Sequence, residues 1–155
     1  MYFPSMKVYL DTCSLQRPLD DKSQLRIRLE AEAILSVLDL AQAGRIELVS
    51  SDALFFEIRR NPYRTRQEFA LETMAGASEH IELSESIETR AEELNQAGMK
   101  TLDSLHLASA EIGEADVPCT CDDTFLNKAK REVRGRPMVV SPLELAEELD
   151  QWQSQ

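Results

Sequence analysis

Near the start of the chain, Met6-Lys7-Val8-Tyr9-Leu10 forms a short apolar run that closes abruptly on Asp11-Thr12-Cys13-Ser14. A run of this length, ended by a carboxylate and small hydroxyl residues, reads as a buried strand reaching the carboxyl edge of a parallel sheet, where open α/β sheets bind ligands. Asp11 is therefore the first candidate for a functional carboxylate. The same residue has a plainer role open to it, because Asp and Ser commonly open turns and cap helices.

Beyond this strand the chain alternates. Asp20-Asp21-Lys22-Ser23 reads as the opening of a long amphipathic helix in which Leu25, Leu29, Ile34, Leu35, Leu38 and Ala41 recur at three-to-four spacing as far as Gly44. Ile46-Glu47-Leu48-Val49 follows as a strand, and Ser50-Ser51-Asp52 offers N-caps for a helix over 53–60 that carries Glu57. Asn61-Pro62 stops that helix, since the residue before proline avoids the α region, and another runs from about Arg64 to Ala75. His80-Ile81-Glu82-Leu83 predicts a brief strand, and Ser84 or Ser86 caps a helix through Ile87, Ala91 and Leu94. Thr101 caps a helix from Leu102 to about Gly113, with Asp103 in its positively polarised first turn. Val117-Pro118-Cys119-Thr120-Cys121 reads as a strand before Asp122-Asp123-Thr124 and a helix through Phe125, Leu126 and Ala129. Met138-Val139-Val140 is the last predicted strand, and Ser141-Pro142 opens a closing helix. The alternation predicts one α/β domain over residues 1–155, with its core over about 6–150: a three-layer α/β/α sandwich around a mainly parallel sheet with right-handed crossovers.

A chain of 155 residues that is 43% hydrophobic can build one such core. No apolar run approaches the ~20 residues that span a bilayer, and Met1-Tyr2-Phe3-Pro4-Ser5 lacks the regions of a signal peptide, so a cytoplasmic location is expected. Cys13, Cys119 and Cys121 fit no zinc-finger spacing and read as reduced thiols, zinc being the lesser alternative. The net charge of -11 disfavours nucleic acid when taken alone. Its distribution is uneven, however: Arg59, Arg60, Arg64 and Arg66, with Lys128, Lys130, Arg131, Arg134 and Arg136, hold nine of the 17 cationic side chains in two short stretches. Each stretch reads either as a solvated helix face or as a binding patch.

In a sandwich of this kind Asp11, Glu57, Asp103 and Asp122 can all face one pocket. Four carboxylates there would repel one another unless a cation neutralised them. Oxygen-only ligands of high negative charge suit Mg²⁺ or Mn²⁺, which makes metal-assisted phosphodiester hydrolysis the natural chemistry. Cys13 as a nucleophile is set aside, because a carboxylate-lined pocket raises a thiol's pKa. Phosphatases with an aspartyl nucleophile are disfavoured because their second Asp, two positions after Asp11, is Cys13 here.

Four stretches carry these acids: Val8-Tyr9-Leu10-Asp11-Thr12-Cys13-Ser14, Leu54-Phe55-Phe56-Glu57-Ile58, Leu102-Asp103-Ser104-Leu105-His106-Leu107-Ala108 and Thr120-Cys121-Asp122-Asp123-Thr124-Phe125-Leu126. In order and spacing, across residues 7 to about 140, they resemble the acidic motifs of PIN-domain proteins. The resemblance implies an α/β/α nuclease fold, Mg²⁺- or Mn²⁺-dependent cleavage of RNA, and often membership of a toxin–antitoxin pair. By it, Asp11, Glu57 and Asp103 match the three central acids and Asp122 the fourth, with Asp123 as its rival. Thr12, Ser14 and Thr120 match hydroxyls that support ligands or orient water, with ordinary hydrogen bonding as their alternative. Arg59, Arg60, Lys128, Arg131 and Arg134 are the candidate RNA contacts, and an antitoxin or a second copy in a homodimer are the candidate protein partners. His106, one turn beyond Asp103, reads as a packed or capping residue in preference to a base. A competing reading keeps the acidic pocket for metal or for docking a basic partner segment, without useful turnover.

Overall fold

The computed structural model describes residues 5–153. Four short strands, β1 (Lys7–Leu10), β2 (Glu47–Ser51), β3 (Glu79–Ile81) and β4 (Val117–Cys119), form one sheet in the order β3-β2-β1-β4, every neighbouring pair parallel. Val8 pairs with Leu48 on one side and Val117 on the other, so β1 is a central strand. The strands are joined and covered by helices α1 (Thr12–Leu15), α2 (Leu25–Gln42), α3 (Asp52–Arg59), α4 (Arg64–Met74), α5 (Glu85–Gln96), α6 (Thr101–Ile112), α7 (Asp123–Glu132) and α8 (Pro142–Gln153). None of them is long and apolar enough to cross a membrane.

Strand alternation sorts the core into two layers. Val8, Leu10, Leu48, Val117 and Cys119 pack with Ile34 and Val37 of α2, Leu54 and Ile58 of α3, and Leu145 and Leu149 of α8. On the opposite face Tyr9 and Val49 meet Ala110 of α6, and a further apolar cluster joins α5, α6 and α7. The result is the expected α/β/α sandwich on a parallel sheet.

Local departures from the sequence expectation have physical causes. Helix α2 begins at Leu25 and not at Asp20, because the polar groups before it are engaged in turns: Asp20 accepts from Arg17, and Asp21 accepts from the Ser23 amide. Leu25, Leu29 and Leu35 of α2 are exposed, whereas Glu30 is buried beside Ala31, Ile34 and Val37. Met138-Val139-Val140 is no strand. Confined between Pro137 and Ser141-Pro142, it makes one bridge, Val140 to Cys119. Thr101 lies inside α6, whose N-cap is Lys100. Cys121 falls two residues past β4, so the Cys-x-Cys pair is not within a strand.

Candidate functional site

Because the sheet is parallel, β1, β2 and β4 deliver their carboxyl ends to one edge. The Asp11 amide donates to the Cys119 carbonyl at 3.1 Å, which carries the β1–β4 ladder one step further and sets Asp11 beside Thr120. Asp11 is buried and caps α1, its carboxylate accepting from the Ser14 amide at 3.0 Å. Asp122 caps α7, accepting from the amides of Thr124 at 2.9 Å and Phe125 at 3.1 Å. The capping role open to Asp11 is thus one the structure shows, and Asp122 has it too. Glu57 comes from the second turn of α3 and Asp103 from the first turn of α6.

A chain of hydrogen bonds fixes Glu57. The Ser51 hydroxyl accepts from the Leu54 amide at 3.0 Å and shares a hydrogen bond with the Tyr9 hydroxyl, 2.6 Å away. The Tyr9 hydroxyl also shares a hydrogen bond with His106 Nδ1 at 2.7 Å, and His106 Nε2–H donates to Glu57 Oε1 at 2.9 Å. Thr12 Oγ1 donates to the same Oε1. Among the described residues both donors fall on Oε1, leaving Oε2 for a ligand. His106 is therefore packed, as its sequence position suggests, and also bonded to one of the acids. The sequence reading missed this role. A faint signal existed in its i+3 spacing from Asp103, which puts both on one helix face, and in a strand tyrosine whose buried hydroxyl needs a partner.

The acids feel one another electrostatically. Burial pushes the Asp103 carboxyl up, Asp11 adds to this, and Asp122 and Glu57 contribute further against the opposing pull of His106; the result is about 6. Burial also raises Asp11, tempered by His106 and by hydrogen bonds from Thr120, Ser14 and Cys13. For Glu57 burial acts upward, but the His106 bond and charge and the Thr12 bond outweigh it, and the carboxyl is lowered. The Cys13 thiol is driven upward by its bond with Cys121, by desolvation and by Asp11, which opposes a thiolate nucleophile. Among the described residues no three His, Cys, Asp or Glu side chains are already drawn around one point. The donor set is nonetheless all carboxylate oxygen, and its mutual repulsion at Asp103 is what a hard divalent cation relieves, so the residues suit Mg²⁺ or Mn²⁺ in chemistry.

The remaining candidates divide. Thr120 Oγ1 accepts from the Asp122 amide at 3.1 Å, while the Ser14 hydroxyl donates to the Cys119 carbonyl at 3.3 Å and so ties α1 to β4. Asp123 is held by Arg26 at 2.7 and 2.8 Å, which separates it from its rival Asp122. Arg60 lies near Glu57 and stacks on Phe56, 5.2 Å from the ring centre; Arg59 stacks on Phe55 at the same distance. Lys128 donates to the Gly98 carbonyl at 2.8 Å. Arg131 and Arg134 are exposed, and α7 carries Arg131 about 13 Å along its axis from Asp122.

No family model and no curated protein matches the chain. Two solved structures share its fold. FitAcB from Neisseria gonorrhoeae is 15% identical with a TM-score of 0.52, over 88% of this chain and 98% of that one. VapBC2 from Rickettsia felis, bound to a DNA fragment from their promoter, is 16% identical with a TM-score of 0.56, over 87% and 97%. Identity at this level establishes the fold alone. The PIN-domain membership implied by the motif resemblance is therefore corrected: with no family model matching, the chain is assigned to no family. The motifs misled for a physical reason, since each is one acid among small residues, and at the edge of any parallel sheet such acids also serve as helix caps, as Asp11 and Asp122 do here.

Proposed function

We propose that the chain is a Mg²⁺- or Mn²⁺-dependent endoribonuclease whose site is Asp11, Glu57, Asp103 and Asp122, and that it acts as the toxin of a toxin–antitoxin pair. The observation that carries the reading is that Thr12, next to Asp11 at the end of β1, donates to Glu57 of α3, while burial and then the charge of Asp11 raise the Asp103 carboxyl. Mutual repulsion among four acids is unfavourable for folding and becomes useful when a cation is bound. Asp11 and Glu57 are pre-set, the first by the Ser14 amide and the second by Thr12 and His106, so neither must be ordered when ligand arrives. A divalent cation held by these carboxylates supplies Lewis acidity, acidifying water and neutralising charge that gathers on the phosphodiester oxygens. The toxin reading draws on the shared fold with FitAcB and VapBC2, the latter on promoter DNA, and places an antitoxin among this chain's partners.

The test is cleavage of a labelled single-stranded RNA panel in Mn²⁺ by the wild type and by Asp11→Asn, Glu57→Gln, Asp103→Asn and Asp122→Asn, with circular dichroism confirming the fold. Loss of a ligand should reduce cleavage by more than the ~10–100-fold typical of losing an outer hydrogen-bond partner. Asn caps a helix about as well as Asp, so a purely capping residue would keep both stability and activity. Undiminished cleavage by all four variants would exclude this site. A wild type that binds Mn²⁺ but cuts no RNA would transfer the reading to a binding module, which the net charge of -11 favours.

A further inference from the structure

Beside the acids runs an open groove of about 600 Å³, within the range of ligand sites. Thr12 and Glu57 form its near wall, so it is continuous with the carboxylate site, and Arg60, Asn61 and Tyr63 continue it outward. Its floor is fixed before any ligand binds. The Asn61 amide donates to Gln16 Oε1 at 3.2 Å, the Gln16 amide donates to the Arg66 carbonyl at 3.4 Å, and the Tyr63 backbone amide donates to Asn61 Oδ1 at 2.9 Å. Gln16 is itself buried, and Pro62 stiffens the loop above it. The Tyr63 side chain is thereby held on an ordered turn with 68% of its surface exposed. A single exposed aromatic is ordinary. This one stands apart because it borders a catalytic candidate and shares the groove with Arg60. Among the described residues Arg60 makes no carboxylate ion pair, while Arg64 is paired with Glu68 and Arg66 with Asp20.

We infer that this groove seats an unpaired nucleotide of an RNA strand next to the phosphate held at the acids, with its base stacked on Tyr63 and its phosphate against Arg60. Aromatic faces bind bases without regard to sequence, and a cationic group beside them holds the backbone. Bases inside a duplex keep their faces covered by their neighbours, so the groove selects single strands or loops. The inference rests on the nuclease reading for which phosphate is cut, and on the groove alone for binding.

The experiment is fluorescence anisotropy in EDTA, where no cleavage occurs, using a labelled single-stranded oligoribonucleotide and the blunt duplex of the same sequence. Tyr63→Ala should weaken single-strand binding by about 10-fold, as loss of one base–aromatic stack does, and leave duplex binding unchanged; Tyr63→Phe should restore it. Arg60→Ala should reduce the slope of log Kd against log salt by about 0.7, the contribution of one single-strand phosphate contact. Tyr63→Ala that binds the single strand like wild type, an equal loss on the duplex, or a wild type that fails to bind the single strand at low salt would each overturn the subsite. A wild type that binds the strand in EDTA but does not cut it in Mn²⁺ overturns the nuclease reading and leaves the subsite standing.

Discussion

Tyr9 sits at the centre of β1 with its hydroxyl between Ser51 and His106, and it is the residue on which the orientation of Glu57 depends. Its burial drives its own pKa upward, so it serves only as a neutral donor and acceptor. Tyr9→Phe keeps the ring and removes the link, leaving two buried polar groups short of a partner. Urea denaturation should show a loss of about 1–3 kcal/mol. Asp103 has the opposite sign. A carboxyl whose folded pKa, about 6, exceeds its unfolded value near 3.8 takes up a proton on folding between those values. Its presence is therefore neutral to stability below about pH 4, and it becomes destabilising as pH rises toward 6. In EDTA, Asp103→Asn should melt higher than wild type at pH 8, with the advantage vanishing at pH 4. A variant melting below wild type at pH 8 would contradict the repulsion.

At the scale of elements, helix α2 is held by charge as well as by apolar packing. Glu30, 1% exposed, receives Arg17 at 2.7 and 3.0 Å and Arg26 at 3.5 Å; Arg17 also pairs with Asp20 and Arg26 with Asp123. This network ties α2 to the turn before it and to α7, the helix that Asp122 caps. Glu30→Gln should cost about 1.5 kcal/mol in a denaturant melt, because the charge-assisted bonds from Arg17 weaken while Asp20 and Asp123 still compensate the two arginines. The network also marks where the sequence stops being legible. Leu25, Leu29 and Leu35 fit a helical stripe but face water, and Glu30 is buried, because its partners Arg17 and Arg26 override the apolar period and no periodicity reveals them. The end of β1 was legible, its apolar run closing on the capping Asp11, whereas β2 runs on to Ser51, past the expected end at Val49, and β4 stops at Cys119, short of Cys121, although Ser51 and Asp122 do cap the helices that follow. His106 was half legible. Its spacing from Asp103 is local, but Glu57 lies 49 residues away and meets it only once the sheet has formed.

Across the whole molecule the net charge of -11 sets a background against which the acidic edge must work. A cation bound at the proposed site would relieve that edge only in the folded state. Melts in excess Mn²⁺ should therefore exceed those in EDTA, by about 2.7 kcal/mol at 100 times the dissociation constant. Coincident melts in wild type, with Asp11→Asn and Asp103→Asn also unaffected, would rule out a shared ion. The strand order β3-β2-β1-β4 has one more consequence. Asp11 is made first and Asp122 late, and the two become neighbours only when β4 docks beside β1. A growing polypeptide on the ribosome carries Asp11, Glu57 and Asp103 before Asp122 is added. Fragments that end before Asp122 therefore lack the proposed site, and the four acids can meet only after that residue has been made and β4 has docked.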